Sequence, residues 1–240
     1  MVAFAFKITI QMMKRFLRKV LYKYKSTSYS QAGEDMIIRY LFRDIGKMDK
    51  ITYLDLGTNL PDYGNNTYLF YKAKGKGVCV EANPTLIQEI KKIRPKDKII
   101  NAGVAVSSEK EADFYIFDVS AISTFNKKDA EFRNNSGSNK IVRVAKIPLI
   151  NINDLIIGNF LKMPDLLSID IEGLDLSVLK SLDFKKFPIP VLCVETCTYS
   201  ENHIRPKDHS IAELLYSKGY EIYADTYINT IFVNKEWFYK

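Results

Sequence analysis

Four times between Thr52 and Thr196 the chain runs through a short apolar stretch rich in β-branched residues and then stops on an acid: TYLDLG, GVCVEANP, LLSIDIEG and VLCVET. Apolar runs this short, without polar alternation, suit strands buried on both faces, and such strands belong to parallel sheets covered by helices. Helical spacing fills the intervals, at residues 33–42, 65–74, 84–93, 152–161, 174–181 and 210–218, so strand and helix alternate. KIINAGVAV reads as a further strand. ADFYIF and IVRVAKIPL form a hairpin-like insertion around a polar, loop-like stretch at 126–140, and YEIYA with NTIFVN makes an antiparallel hairpin at one sheet edge. The expected fold class is α/β, a mainly parallel seven-stranded sheet with a C-terminal antiparallel hairpin and an N-terminal helical extension.

Charge divides the chain into two parts. Of 35 basic residues seven lie in residues 1–25, which hold no acid; the remaining 215 residues carry 28 basic and 28 acidic side chains. The net charge of +7 therefore sits in the arm, and a body so balanced offers no general attraction to phosphate backbones. No nucleic-acid partner is expected. Within the arm, Ile8, Met12, Met13, Phe16, Leu17, Val20 and Leu21 recur at helical spacing between the lysines and arginines. Such a helix either docks on an anionic membrane surface or a membrane-bound partner, or packs on its own domain. Residues 1–25 are read as this helix and 26–240 as one catalytic domain. No apolar run approaches the ~20 residues of a membrane span, and the start lacks the basic flank and cleavage site of a signal peptide. Cys79, Cys193 and Cys197 form no CxxC and read as buried thiols of a reducing compartment. A cytoplasmic protein is expected, peripheral at the inner face of a membrane if the arm binds lipid.

Ligands of open α/β sheets bind at the carboxyl ends of the strands. Here those ends read Asp55-Leu56-Gly57-Thr58-Asn59, Glu81-Ala82-Asn83-Pro84, Asp170-Ile171-Glu172-Gly173 and Glu195-Thr196. Four carboxylate-bearing ends on one rim repel one another unless something partners them. Glu81, one βαβ step after Gly57, is placed to take hydrogen bonds from a ribose diol, and Gly57 would let backbone pass close to a ligand. A dinucleotide fits less well. The loop GTNLPDYGNN has no GxGxxG, puts Pro61 where a glycine turn is needed, and follows Asp55 and carries Asp62 where a pyrophosphate wants bare amides. An ammonium and a sulfonium suit these acids better than two phosphates. Two rival readings stand beside this one: a nicotinamide-dependent oxidoreductase, and a non-catalytic, membrane-associated binding protein with a relic pocket. Acids at several strand ends weigh against a relic.

SYSQAGEDMIIRYLF, YLDLGTNLPDYGNNTYLFY, GVCVEANP, NAGVAVS, STF, LLSIDIEGLDLSVLKSLDF and VLCVET, in that order, resemble the FkbM-type methyltransferase family over about residues 28–235. The resemblance implies the Rossmann-like fold of class I methyltransferases, S-adenosylmethionine as donor, and a hydroxyl acceptor, commonly on a sugar of a glycan or on a polyketide-type metabolite. It implies that Asp55, Gly57 and Asn59 line the methionine end of the donor, that Glu81 and Asn83 hold ribose and adenine, and that Ala102, Gly103 and Val104 lie near the adenine. Gln31, Glu34 and Asp35 fall on a segment able to close over the donor. The first loop departs from methyltransferases at large in lacking GxxxG. Asp170 is the first candidate to take the proton of the acceptor hydroxyl and Glu172 the second; alternatively the pair holds a divalent cation that acidifies that hydroxyl. Glu195 and His203 are the remaining catalytic candidates.

Overall fold

The computed structural model describes residues 26–43, 46, 50–136, 139–197 and 207–240. The helix expected at 8–23 and the candidate His203 lie outside the described residues. Helix α1 (Glu34–Arg43) is followed by β1 (Thr52–Leu56), α2 (Tyr68–Lys72), β2 (Lys76–Glu81), α3 (Ile87–Ile93) and β3 (Lys98–Asn101). An insertion of β4 (Gly103–Ala105), β5 (Glu111–Phe117), α4 (Lys127–Ser136) and β6 (Ile141–Asn151) comes next. Then come α5 (Ile152–Asn159), β7 (Leu166–Ile169), α6 (Asp175–Ser181), β8 (Val191–Glu195), α7 (His209–Ser217), β9 (Tyr220–Asp225), β10 (Asn229–Asn234) and α8 (Lys235–Phe238).

Among the described residues seven strands form the main sheet, in the order β3-β2-β1-β7-β8-β10-β9. The first five run parallel, while β10 is antiparallel to both β8 and β9, which is the layout the sequence led us to expect. The double burial of the strands is direct. Leu54, Leu56, Val78, Val80, Leu167, Ile169, Leu192 and Val194 fill one core, and Tyr53, Leu166, Val191, Cys193 and Ile231 join Ile38 and Phe42 of α1 in the other. Successive residues of a strand point to opposite faces, so the absence of polar alternation follows from having apolar layers on both. All three cysteines are buried free thiols. Among the described residues no helix is long and apolar enough to cross a membrane.

Two local expectations are corrected. KIINAGVAV is not one strand: β3 ends at Asn101, whose Nδ2 donates to the carbonyls of Glu81 (2.8 Å) and Ala82 (3.0 Å), and β4 pairs instead with β6 in a three-stranded second sheet. The stretch 126–140 is not a loop, since residues 127–136 form α4. It has no apolar stripe to announce it, with only Ala130 and Arg133 buried. Its start is fixed locally, by Asn126 Oδ1 accepting from the amides of Lys128 (3.0 Å) and Asp129 (3.3 Å).

Candidate active site

Sheet order lays the carboxyl ends of β3, β2, β1, β7 and β8 side by side, so Ala102, Glu81, Gly57, Asp170 and Glu195 follow one another along the rim. With strands about 4.8 Å apart, that row spans roughly 19 Å. All five residues line one cavity of about 320 Å³, within the range of small-molecule sites. At the β3 end its wall is apolar, with Ala102, Val104, Phe114 and Phe125; toward β1 and β7 it turns polar, with Asp55, Asn65, Asn66 and Ser168. Gln31, Asn59 and Gly103 also reach it.

Glu81 is buried at the second strand end. Its Oε2 accepts the Asn59 amide (2.8 Å) and its Oε1 the Asn83 amide (2.7 Å), so the carboxylate ties the first loop to the second. Burial pushes its pKa up, against the pull of these two amides. Gly57 sits at φ +82°, and a Cβ there would lie 1.8 Å from the Asp170 carbonyl oxygen. The neighbouring strand therefore already forbids a side chain at this position, whatever ligand passes over it.

Asp55 stands differently from its reading as an open acid for a cationic ligand. Its Oδ2 accepts from Thr67 Oγ1 (2.8 Å), Asn65 Nδ2 (3.0 Å) and the Arg94 guanidinium (3.3 Å). Arg94 is fully buried, and its Nε donates to Asp97 Oδ2 at 2.8 Å. Asp97 in turn accepts from Tyr53 Oη (2.8 and 2.9 Å) and the Gly77 amide (3.0 Å). The charge of the first strand end is thus partnered from below.

Asp35 and Asn83 are not brought to the cavity wall. Asp35 accepts from Ser28 Oγ (2.6 Å), the Tyr29 amide (2.7 Å) and Ser30 Oγ (3.0 Å), fixing the segment before α1. Neighbouring Glu34 is engaged by Thr226 and Asn229. Asn83 caps its own turn, with Oδ1 accepting the amide and hydroxyl of Thr85. Among the proposed donor contacts, these two have local structural work instead.

At the far end of the row Asp170, Glu172 and Glu195 converge. Each offers a carboxylate oxygen, and the three atoms lie within 4.8 Å of one another. Glu172 adopts the left-handed region at φ +54°, ahead of Gly173 at φ +92°, which turns its carboxylate back toward the strand end. Burial, then the neighbouring Asp170, raises Glu172 to about 7 despite Arg133; burial and the same crowd of acids push Glu195 up to about 10. Buried Asp175, its carboxylate facing the amides of Ile171 (3.4 Å) and Gly173 (3.2 Å), is raised to about 7 by burial and Asp170. Oxygen ligands in such a cluster suit a hard divalent cation.

Sequence reasoning missed several wall residues. Arg133 of α4 reaches across to Glu172 (3.4 Å) while its Nη1 donates to the Ile122 carbonyl (2.8 Å). Glu172 and Glu195 also line a second cavity of about 370 Å³, together with Phe132, Arg133, Leu176, Thr196 and Ile211. Among the described residues Arg133 is the single cationic side chain in either wall. Asn65 and Asn66 of the first loop also line the wall, with Arg94 outside it at the Asp55 carboxylate, and the sequence assigned none of them a role; the signal available for α4 was the Asn126 cap.

Solved structures to which the chain is distantly similar include a TehB-like SAM-dependent methyltransferase from Corynebacterium glutamicum (11% identity, TM-score 0.40, 96% of this chain and 99% of that chain covered). A second is 1,6-didemethyltoxoflavin-N1-methyltransferase from Burkholderia thailandensis, solved with S-adenosylhomocysteine (10%, 0.41, 84% and 76%). A third is fibrillarin from Aeropyrum pernix, with natively bound S-adenosyl-L-methionine (10%, 0.36, 91% and 73%). No curated protein matches the sequence. The family rests on none of these distant likenesses. It rests on the match of residues 55–222, more than half of the chain, to the model of the methyltransferase FkbM domain, and to that family the chain belongs.

Proposed function

We propose that this methyltransferase transfers a methyl group from S-adenosylmethionine to a hydroxyl, most fittingly that of a sugar in a glycan or glycosylated metabolite. The observation that carries the reading is the position of Glu172 and Glu195, which belong to both cavities at once. A donor lying along the strand ends and an acceptor in the second cavity would meet at these acids and Asp170. The donor's fit is supported by the graded wall: apolar side chains for a base at β3, a carboxylate for a ribose diol at Glu81, and polar groups for an amino-acid end at β1 and β7. The sugar acceptor is supported by the family resemblance.

S-adenosylmethionine supplies a methyl group activated by its positive sulfur. The chain's own contribution is alignment, since in-line displacement depends on holding the reacting groups in register. Asp170 takes the proton of the acceptor hydroxyl, a role worth ~10²–10⁴-fold in general acid–base catalysis. Glu172, raised to about 7, is partly deprotonated near neutral pH and can share that proton, while Glu195, raised to about 10, already carries its own. A second version has a specific observation in its favour: the three converging oxygens. In it Asp170, Glu172 and Glu195 would hold a divalent cation, whose Lewis acidity would lower the pKa of the acceptor hydroxyl. Calorimetric titration with S-adenosylhomocysteine and with NAD tests the donor; binding of NAD alone would transfer the protein to nicotinamide chemistry. Mass spectrometry of neutral glycosides and of amino sugars incubated with donor and enzyme tests the acceptor, and methyl found only on nitrogen would remove the hydroxyl reading.

A further inference from the structure

Asp55 is the acid a sequence reading offers to the donor's ammonium, and it is already held by Arg94, Asn65 and Thr67. Elsewhere in that part of the wall two buried oxygens, Thr58 Oγ1 and Asn66 Oδ1, have no hydrogen-bond partner. Asn66 is 6% exposed and lines the donor cavity; its Nδ2 donates to Ser168 Oγ at 3.3 Å, and its Oδ1 is buried with no hydrogen-bond partner. A buried polar atom left unpaired carries the full desolvation cost of that group, and native structures tolerate few of them. Neighbouring Asn65 shows the contrast, its Oδ1 accepting from the Thr67 amide, the Tyr68 amide and Arg94.

Position points to the missing partner. Ser168 is in register with Asp55 across β1 and β7, so Asn66 sits over the boundary between these strand ends. A donor with its base at Ala102 and its ribose at Glu81 brings its amino-acid end to that boundary, one strand further along the sheet. We infer that Asn66 binds the amino-acid end of the methyl donor, its Oδ1 accepting a hydrogen bond from the α-ammonium group. The inference rests on the donor reading given above. A neutral amide suits this place: it accepts from an ammonium without adding a further charge beside Asp55, and it has no proton of its own to lose.

The experiment compares two ligands. S-adenosylhomocysteine carries the amino-acid end and 5′-methylthioadenosine lacks it; both are titrated calorimetrically into the wild-type chain and into Asn66→Ala and Asn66→Ser. A variant that keeps wild-type affinity for methylthioadenosine has an intact nucleoside pocket. In such a variant S-adenosylhomocysteine should bind at least about tenfold more weakly, the lower end of the range for a hydrogen bond to a charged group. As a check needing no variant, an S-adenosylhomocysteine analogue without its α-amino group should bind the wild type more weakly by a similar factor. If the variants bind S-adenosylhomocysteine as the wild type does, or lose both ligands equally while the analogue binds the wild type undiminished, the assignment of Asn66 is overturned. A wild-type chain that binds neither ligand overturns the donor reading beneath it.

Discussion

Replacing Arg94 by Met would test whether the ion network under the site holds it together. The guanidinium is fully buried and contacts Asp97 (2.8 Å), Asp55 (3.3 Å), Thr67 Oγ1 (2.9 Å) and Asn65 Oδ1 (3.2 Å). Methionine fills much of the volume but strands two carboxylates in the interior, and breaking a buried pair in this way costs about 3–5 kcal/mol. Asp97 keeps the Tyr53 hydroxyl and the Gly77 amide, and Asp55 keeps Asn65 and Thr67, so the lower end, about 3 kcal/mol, is expected. For a chain of this size that is a fall in Tm of roughly 6–12 °C. Urea unfolding followed by the fluorescence of Trp237, the single tryptophan, reads it directly; its ring lies 5.7 Å from that of Phe42 in the same core as Tyr53. Adding Asp97→Asn to the variant removes one stranded charge and should return part of the loss. A variant that unfolds at the wild-type midpoint, or a second substitution that deepens the loss, would refute the argument.

Four further outcomes are expected. Glu81→Gln should weaken S-adenosylhomocysteine binding by ~1–3 kcal/mol, measured calorimetrically, and unchanged affinity in a folded variant would take Glu81 out of the ribose site. Asp170→Asn should slow turnover at saturating acceptor by ~10²-fold or more with donor affinity kept; a chelator added to the wild type should abolish activity only if a cation sits between the three carboxylates. Asp175 holds its proton in the folded state up to about 7, against 3.8 for an ordinary aspartate, so the folded chain binds more protons than the unfolded one between these values and stability falls as pH rises through them. Urea midpoints at pH 5 and 7.5 should therefore differ less in Asp175→Asn than in the wild type, and equal slopes would contradict the assignment. Deleting residues 1–25 should abolish flotation with anionic liposomes at low salt if the arm docks on lipid, and a full-length chain that ignores such liposomes favours packing on the domain instead.

The main sheet was legible because its signal is local and redundant. Leu54, Val80, Leu167 and Val194 each stand in a short apolar run, and double burial leaves a parallel strand little freedom to read otherwise. The ends of those strands could be placed on the rim for the same reason, and most of the residues named there do line the cavity. What each acid does was not legible, because that depends on which side chains the fold turns toward it, whether near or far along the chain. Asp55 reads as an available negative charge until Arg94, 39 residues later, arrives from the end of α3 to hold it. Asp35 reads as a donor contact until its three neighbours at Ser28, Tyr29 and Ser30 close around it. The helix α4 escaped because it is held by a cap and by one buried arginine rather than by an apolar stripe, and periodicity is blind to both. Yet Arg133 on that helix is what links the donor cavity's Ile122 carbonyl to Glu172 at the acid cluster. The inserted segment thus supplies a charge that the sheet lacks, at the point where the two cavities meet. Hydrophobic patterning can locate a rim of strand ends, but the charge balance on it is set by side chains such as Arg94 and Arg133, whose neighbours only the fold brings near.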